Sequence, residues 1–199
     1  MQKPTYWNHN TAYYDWIFRE TASCRSILDV GCGDGTLCAY LDDGVRTVTG
    51  IDPDAGCIRS AEARSCDSAD FLCGDFMAHP FACSFDAVVF VASLHHMEMQ
   101  TAIRKAKNLL NPGGKLLVVG LAKPSSVLDY AVEALRVLPC AVISRVKHMK
   151  TSEEEHIPVS YAFPAMRDVR TVARELLPGA ELRSGLYYRY LLKWEAPHV

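Results

Sequence analysis

Three glycines and one carboxylate are the residues of this sequence best suited to hold a ligand. Residues 27–35 read Ile-Leu-Asp-Val-Gly-Cys-Gly-Asp-Gly, and Asp52 closes the next apolar run. An apolar run that enters a glycine-rich turn is how a buried parallel strand delivers a nucleoside ligand to the start of a helix. Because Gly31, Gly33 and Gly35 lack a Cβ, the backbone can adopt positive φ there and approach a ligand closely. The Asp52 carboxylate is then placed to accept hydrogen bonds from the two ribose hydroxyls.

The spacing of the glycines distinguishes two kinds of nucleoside cofactor. A dinucleotide-binding loop reads Gly-x-Gly-x-x-Gly/Ala, and its last small residue lets the helix pack closely beside a pyrophosphate. Here Gly35 comes one position early, and Thr36 occupies the small-residue position. The pattern resembles motif I of the class I S-adenosylmethionine-dependent methyltransferases. The resemblance implies S-adenosylmethionine as cofactor, with Asp29 lying under its methionine part.

Short apolar segments of strand length alternate with helix-length segments along the chain. The predicted strands are residues 26–30, 47–51, 70–73, 87–91 and 115–120. This alternation predicts βαβ units and a parallel sheet covered on both faces. Helices are predicted from Gly35 to near Gly44, over residues 100–110 and over residues 165–177. The second ends at the predicted turn Asn111-Pro112-Gly113-Gly114, because proline and glycine do not continue a helix.

Two β-rich segments, residues 181–184 and 187–195, follow the last helix and are joined by a turn around Gly185. A connection that short demands antiparallel pairing. The methyltransferase resemblance implies the same arrangement, a Rossmann-like, doubly wound α/β fold. Its mostly parallel seven-stranded sheet has an antiparallel last strand. The 199 residues are predicted to form a single domain, because a chain of this length buries about 70% of its unfolded surface.

Further cofactor contacts are implied by the resemblance. Residues 48–53, Val-Thr-Gly-Ile-Asp-Pro, resemble the family's second strand with its ribose-binding acid, and Pro53 follows that acid. Gly74-Asp75-Phe76 resembles the turn after strand three. There the family uses the carboxylate for the adenine amino group and the next backbone N–H for a ring nitrogen. Asp75 could instead cap the turn that follows it, and Asp86 is predicted to be structural.

The chemistry is predicted at the carboxyl end of strand four, where Leu94-His95-His96 follows Val91. Enzymes that methylate nucleobase amino groups often carry Asn/Asp-Pro-Pro-Tyr/Phe at this place, and this chain does not. Leu-His-His instead resembles the ubiquinone-biosynthesis and small-molecule methyltransferases. His96, with His95 beside it, is a candidate general base because the imidazole pKa is about 6.5. Alternatively, one histidine hydrogen-bonds the backbone and shapes the pocket rim.

Two variable regions are predicted to complete the site. Residues 1–24 are predicted to form a lid, because residues 6–14 resemble the His-Asn-x-x-Tyr segment of a bacterial methyltransferase subgroup. A solvated helix with an apolar stripe is the alternative. Residues 123–164 are predicted to build the acceptor pocket, as insertions there do in this superfamily. The predicted cofactor-binding residues are Asp29, Gly31, Cys32, Gly33, Asp52, Pro53, Asp75, Phe76, Val91, Asn10 and Tyr14.

Composition restricts the partners. A net charge of -2 and a pI near 6.4 disfavour a duplex nucleic acid, which needs a basic surface. The 8 cysteines include no Cys-x-x-Cys pair and follow no apolar signal segment. They are therefore interpreted as reduced thiols of a cytoplasmic protein, and no metal site is predicted. No apolar run is long enough to span a membrane, and nothing indicates the oligomeric state.

The predicted function is S-adenosylmethionine-dependent methyl transfer to a small-molecule acceptor by in-line displacement. One alternative keeps the fold and the cofactor but not the activity, as a non-catalytic regulatory or partner protein. A nicotinamide oxidoreductase is disfavoured by Gly35-Thr36 and by the terminal hairpin. An RNA methyltransferase is disfavoured by the net charge and by the missing amine-holding motif.

Overall fold

A seven-stranded sheet forms the centre of the protein in a computed structural model, which describes residues 8–64, 69–125, 163–186 and 189–198. The sheet order is β3-β2-β1-β4-β5-β7-β6. Its strands are β1 (Ser26–Val30), β2 (Thr47–Asp52), β3 (Ala69–Cys73), β4 (Phe85–Val91), β5 (Leu110–Leu121), β6 (Glu181–Ser184) and β7 (Arg189–Glu195). Strands β1 to β5 pair in parallel, whereas β7 pairs antiparallel with both β5 and β6. The predicted mostly parallel sheet with an antiparallel last strand is confirmed.

Short helices connect the strands. They are α1 (Tyr14–Glu20), α2 (Thr36–Leu41), α3 (Ala55–Glu62), α4 (Met99–Asn108) and α5 (Met166–Leu176), with 3-10 turns at Thr11–Tyr13 and Leu94–His96. Two helices begin at acidic caps. The Asp54 carboxylate accepts hydrogen bonds from the first turn of α3, and the Glu98 carboxylate does the same for α4. A carboxylate at this position satisfies backbone N–H groups that have no partner within the helix.

Apolar side chains alternate between the two faces of the central strands. Val88 and Phe90 of β4 pack on the face that carries α4 and α5, whereas Ala87 and Val89 pack on the face that carries α1 and α2. All four are 0% exposed. Burying a side chain the size of valine or phenylalanine contributes roughly 1.5–3 kcal/mol. This double cover leaves the strand ends, rather than the sheet faces, as the place for a ligand.

The start of β5 differs from the prediction. Residues 111–114 were expected to form a turn before a strand at residues 115–120, but the strand begins at Leu110. Phe85 pairs with Leu110 and Ala87 pairs with Lys115, so the extra residues are accommodated by a shift in register. Gly113 keeps a positive φ of 73° within this segment, and the Ala196 N–H donates to the Gly114 carbonyl oxygen at 2.8 Å. The turn formers are therefore retained as a bulge inside a longer strand.

Other predicted boundaries move by a few residues. The helix expected to reach Gly44 ends at Leu41, and the helix expected over residues 100–110 spans Met99–Asn108. The helix expected over residues 165–177 spans Met166–Leu176. Residues 1–7 of the predicted lid and residues 126–162 of the predicted acceptor-pocket region lie outside the described residues.

Asp86 has the structural role predicted for it. One carboxylate oxygen accepts the N–H groups of Arg25 and Ser26 at 2.8 and 3.2 Å, and the other accepts the Asn111 side-chain amide at 2.7 Å. Burial raises the pKa of the Asp86 carboxyl, but the hydrogen bonds outweigh burial and hold the pKa below its ordinary value. This carboxylate therefore joins the entry of β1 to β4 and to the start of β5.

Candidate cofactor and acceptor site

The glycine loop connects the carboxyl end of β1 to α2. The N–H groups of Gly31 and Cys32 both donate to the carbonyl oxygen of Ile51, at 2.8 and 3.2 Å, and this holds the loop against β2. Gly31 has a φ of 73°, and a Cβ there would lie 2.5 Å from the Cβ of Ser93. Gly33 has a φ of 53°, and no atom of the described residues lies within 4 Å of where its Cβ would be. The loop therefore needs glycine at position 31, where it packs closely against Ser93, whereas Gly33 faces open space.

Asp52, the last residue of β2, holds the glycine loop from the other side. Its Oδ2 accepts the N–H of Gly33 at 3.0 Å, and its Oδ1 accepts the N–H of Asp54 at 2.9 Å. Each carboxylate oxygen can accept about two hydrogen bonds, so Asp52 retains acceptor capacity for two hydroxyl groups. Pro53 follows at the surface. The loop and the acid thus lie together, as the spacing of the sequence motif predicts.

Asp29 lies near the end of β1 and is 2% exposed. The Cys38 thiol, a weak donor, hydrogen-bonds to its Oδ2 at 3.5 Å. Burial, opposed by the Cys38 hydrogen bond and assisted by the charge of Asp52, raises the pKa of the Asp29 carboxyl to about 7. Cys32 is also buried, with its thiol 3.7 Å from the Gly33 carbonyl oxygen. The base of the loop therefore holds a carboxyl that is only partly ionised at neutral pH.

Asp75 and Phe76 follow β3, where the adenine contacts were predicted. The Oδ1 of Asp75 accepts the N–H of Met77 at 2.8 Å, so the carboxylate does cap its own turn. The ring of Phe76 is buried, with centroids 5.9 Å from Phe81 and 5.6 Å from Phe90. The capping role that the sequence analysis gave as the alternative for Asp75 is therefore observed. It does not exclude adenine binding, because a carboxylate has more than one acceptor position.

The chain turns sharply after Val91, the last residue of β4. Ala92 has a φ of 53°, which is rare for a residue other than glycine and marks local strain. The Ala92 N–H donates to the Val119 carbonyl oxygen at 2.8 Å, and the Ser93 hydroxyl donates to the Val30 carbonyl oxygen. These bonds place the turn directly against the glycine loop. Ser93 lies between Val91 and the Leu94-His95-His96 motif, and its packing against Gly31 was not predicted.

The two predicted catalytic histidines lie in the 3-10 turn after Ser93. Their ring centroids are 4.0 Å apart, and the ring of Phe163 lies 5.1 Å from that of His95. Burial, the neighbouring His96 and the charge of Arg189 lower the pKa of His95 to about 4. Its Nδ1 is buried, and no described residue forms a hydrogen bond with it. His96 is exposed. The pair follows Ser93, which packs against Gly31 of the glycine loop, and the part of the histidines in catalysis stays a prediction.

Asn10 and Tyr14, the two N-terminal residues predicted to contact the cofactor, lie in different surroundings. The side-chain oxygen of Asn10 accepts a hydrogen bond from the Arg189 guanidinium, at the same edge as the histidines. The ring of Tyr14 is buried, with its centroid 5.6 Å from that of Tyr40 in α2. Sequence reasoning missed Arg189, because only the pairing of β7 with β5 brings the first residue of β7 to this edge.

Other kinds of site have less support in the described parts of the chain. Within residues 8–64, 69–125, 163–186 and 189–198, no group of three or more His, Cys, Asp or Glu side chains could hold a metal ion. The helices in these same ranges include none that is long and apolar enough to cross a membrane. The six cysteines described are free thiols. Among the described residues, the glycine loop and the turn after β4 are therefore the main candidates for a ligand site.

Residues 28–118 match a family model described as a methyltransferase domain. Over 203 aligned residues, the chain is 36% identical to an uncharacterized methyltransferase of Mycobacterium tuberculosis. The alignment covers 99% of this chain and 100% of the relative. The chain belongs to the methyltransferase family. A Bacillus cereus methyltransferase shares 30% identity with it over 131 residues, 63% of this chain and 62% of the relative.

Solved structures share the fold of this methyltransferase. The PH0226 protein of Pyrococcus horikoshii matches with a TM-score of 0.66 at 20% identity, over 92% of this chain and 88% of that chain. The S-adenosylmethionine-dependent methyltransferase SibL matches with a TM-score of 0.66 at 17% identity. That match covers 94% of this chain and 55% of SibL. These matches show a shared fold, the Rossmann-like α/β fold described above.

Proposed function

We propose that this methyltransferase binds S-adenosylmethionine between the glycine loop and Asp52 and transfers its methyl group to a small-molecule acceptor. The observation that supports the proposal most directly is the hydrogen bond from the Gly33 N–H to Asp52 at 3.0 Å. It joins the two halves of the predicted cofactor motif into one cradle. The open space at Gly33 and the remaining acceptor capacity of Asp52 fit a ribose.

The other parts of the cofactor have candidate partners around this cradle. Asp75 and the Phe76 N–H are proposed for the adenine, and Asp29 and Gly31 for the methionine part. Cys32, Pro53 and Val91 border the same edge of the sheet. We also propose that residues 1–24 act as a lid in which Asn10 and Tyr14 approach the cofactor. We also propose a cytoplasmic location, in which the cysteines are reduced as the sequence predicts.

When bound, S-adenosylmethionine supplies a methyl group already activated on a sulfonium, so the protein must mainly align the acceptor and exclude water. His95 is a weak base, since burial, His96 and Arg189 lower its pKa to about 4. It is suited to orienting an acceptor through a hydrogen bond. His96, exposed beside it, is the candidate for removing a proton from an acceptor hydroxyl. We propose in-line displacement, with residues 123–164 completing the acceptor pocket.

The cofactor proposal is tested by calorimetric titration of the protein with S-adenosylmethionine, S-adenosylhomocysteine and NAD. Asp52→Ala is expected to weaken the binding of both sulfur nucleosides about ten- to hundredfold, the equivalent of one hydrogen bond to a charged acceptor at roughly 1.5–3 kcal/mol. Asp52→Asn keeps an oxygen for the Gly33 N–H and is expected to lose less. Asp70→Asn removes a carboxylate from an exposed position of β3 and is the matched control.

Three results would contradict parts of the proposal. Unchanged nucleoside affinity in Asp52→Ala removes Asp52 from the ribose site. A folded wild type that binds neither sulfur nucleoside removes the cofactor. Cofactor binding without methyl transfer across a broad panel of acceptors favours the alternative of a non-catalytic regulatory or partner protein.

A further inference from the structure

Arg189 places a guanidinium at the acceptor edge of the sheet. It is the first residue of β7, where it pairs with Leu121 at the carboxyl end of β5. On the other side of β5, Val119 pairs with Val91 at the end of β4. Neighbouring strands lie about 4.8 Å apart, so the backbone of Arg189 is about 10 Å from the strand-four turn. A long side chain can span much of that distance.

The Arg189 side chain extends toward the proposed acceptor site. Its Nη2 donates to the side-chain oxygen of Asn10, in the N-terminal segment proposed as a lid. Its charge lowers the pKa of His95, after burial and His96, and lowers the pKa of His9, after burial. The bond to Asn10, the residue after His9, and the pairing with Leu121 together place the guanidinium at the carboxyl edge of the sheet. Burial lowers the pKa of Arg189 to about 10, so it remains a cation at neutral pH.

His95 adds a second polar group to this region. Its buried Nδ1 forms no hydrogen bond with any described residue. A buried polar atom without a partner carries a cost in free energy and is therefore a reason to expect a ligand. A neutral imidazole can donate from Nδ1 to an oxygen of that ligand. The Phe163 ring, 5.1 Å from His95, gives the same place an apolar side.

We propose that Arg189 and His95 bind the carboxylate of an anionic small-molecule acceptor, an inference that rests on the proposed function. The planar guanidinium fork matches the two oxygens of a carboxylate. A phosphate monoester, with a charge of about -1.5 to -2, would exceed what one guanidinium balances. An amine is the poorest acceptor for this site, because its methylation leaves a second cation beside Arg189.

The inference is tested by thermal unfolding of the protein saturated with S-adenosylhomocysteine. Matched pairs of acids and amides serve as probes: salicylate with salicylamide, cinnamate with cinnamamide, and octanoate with octanamide. At least one acid, but not its amide, is expected to raise the melting temperature of the wild type. Arg189→Gln removes the charge and is expected to weaken acid binding at least tenfold. Arg189→Lys keeps the charge without the fork and is expected to bind the acid with intermediate affinity.

Arg183→Gln is the matched control, because Arg183 is an exposed arginine in the other strand of the same hairpin, β6. It is expected to keep both the acid-specific and the nucleoside-induced stabilisation. The inference is overturned if no acid stabilises the wild type, if each amide matches its acid, or if Arg189→Gln keeps the selectivity. Failure of S-adenosylhomocysteine to bind the wild type would instead refute the proposed function. As a control for folding and cofactor binding, Arg189→Gln is expected to keep the stabilisation by S-adenosylhomocysteine. His95→Gln is a second variant that is expected to lose acid affinity.

Discussion

Replacing Asp29 by asparagine is expected to change how the stability of this methyltransferase depends on pH. Asp29 is 2% exposed, and its described hydrogen bond comes from the weak thiol donor of Cys38. Burial, opposed by Cys38 and assisted by Asp52, raises its pKa from 3.8 to about 7. The folded state therefore binds a proton more tightly than the unfolded state does. An asparagine has nearly the same shape and cannot ionise.

The sign of the effect follows from proton linkage. Between the unfolded and folded pKa values, the folded protein holds the extra proton, so the free energy of unfolding falls as pH rises. The full difference of about three pKa units corresponds to roughly 4 kcal/mol. From about pH 5 to about pH 8, the loss from this single group is roughly 2.5 kcal/mol. The gain from Asp29→Asn, relative to the wild type, is expected to increase by that amount over the same interval.

Urea unfolding of the wild type and Asp29→Asn across this pH range measures the difference directly. Other titrating groups are common to both proteins, so their contributions cancel when the two free energies are subtracted. Asp70→Asn, which removes a carboxylate from an exposed position of β3, is the matched control. A constant gap between the Asp29→Asn and wild-type curves would refute the reasoning, because it would mean that Asp29 titrates alike in the folded and unfolded states.

Three further substitutions test the glycine loop and the hydrogen bonds of Asp86. Gly31→Ala places a Cβ 2.5 Å from that of Ser93 at a φ of 73° and is expected to cost about 1–3 kcal/mol of unfolding free energy in urea. Gly33→Ala, with open space around it, is expected to lose less; equal losses would contradict the steric argument. Asp86→Asn is expected to lose roughly 2 kcal/mol near neutral pH. Because the folded pKa of Asp86 is lowered, the wild-type advantage exists above the unfolded pKa and disappears as pH falls through the folded pKa. A gap that stays constant in acid urea titrations would show that the Asp86 hydrogen bonds do not depend on its charge.

The parts of the fold that depend on local sequence were predictable. Strand β1 (Ser26–Val30) was predicted at its observed bounds, because an apolar run there ends directly at the glycine loop. The start of β5 was not, because the turn formers at residues 111–114 lie in a bulge of the strand, which receives a hydrogen bond from the distant Ala196 N–H. Hydrogen bonds between distant parts of a chain leave no periodic signal in either segment.

In the candidate site too, features set by local sequence were predictable and features set by distant contacts were not. Gly33 and Asp52 were placed together from spacing alone, because parallel neighbouring strands bring their carboxyl ends to one edge. Arg189 could not be assigned to this edge from its neighbours in the sequence. Its position depends on the antiparallel pairing that opposes it to Leu121. The lowered pKa of His95 likewise depends on a charge that is distant in sequence.

The two sides of the proposed site carry opposite charges. Asp29 and Asp52 lie at the β1–β2 side of the edge, whereas Arg189 lies at the β7 side. As proposed, the sulfonium cation of the cofactor lies on the side of Asp29 and Asp52, and the carboxylate of the acceptor lies on the side of Arg189. Where the carboxylate oxygen itself takes the methyl group, the sulfonium charge and the carboxylate charge are both removed, so a site that excludes water does not oppose that reaction as water does. A carboxylate that is already ionised needs no base, so a His95 pKa of about 4 is compatible with methylation of that oxygen, whereas a hydroxyl acceptor would need His96 to take its proton.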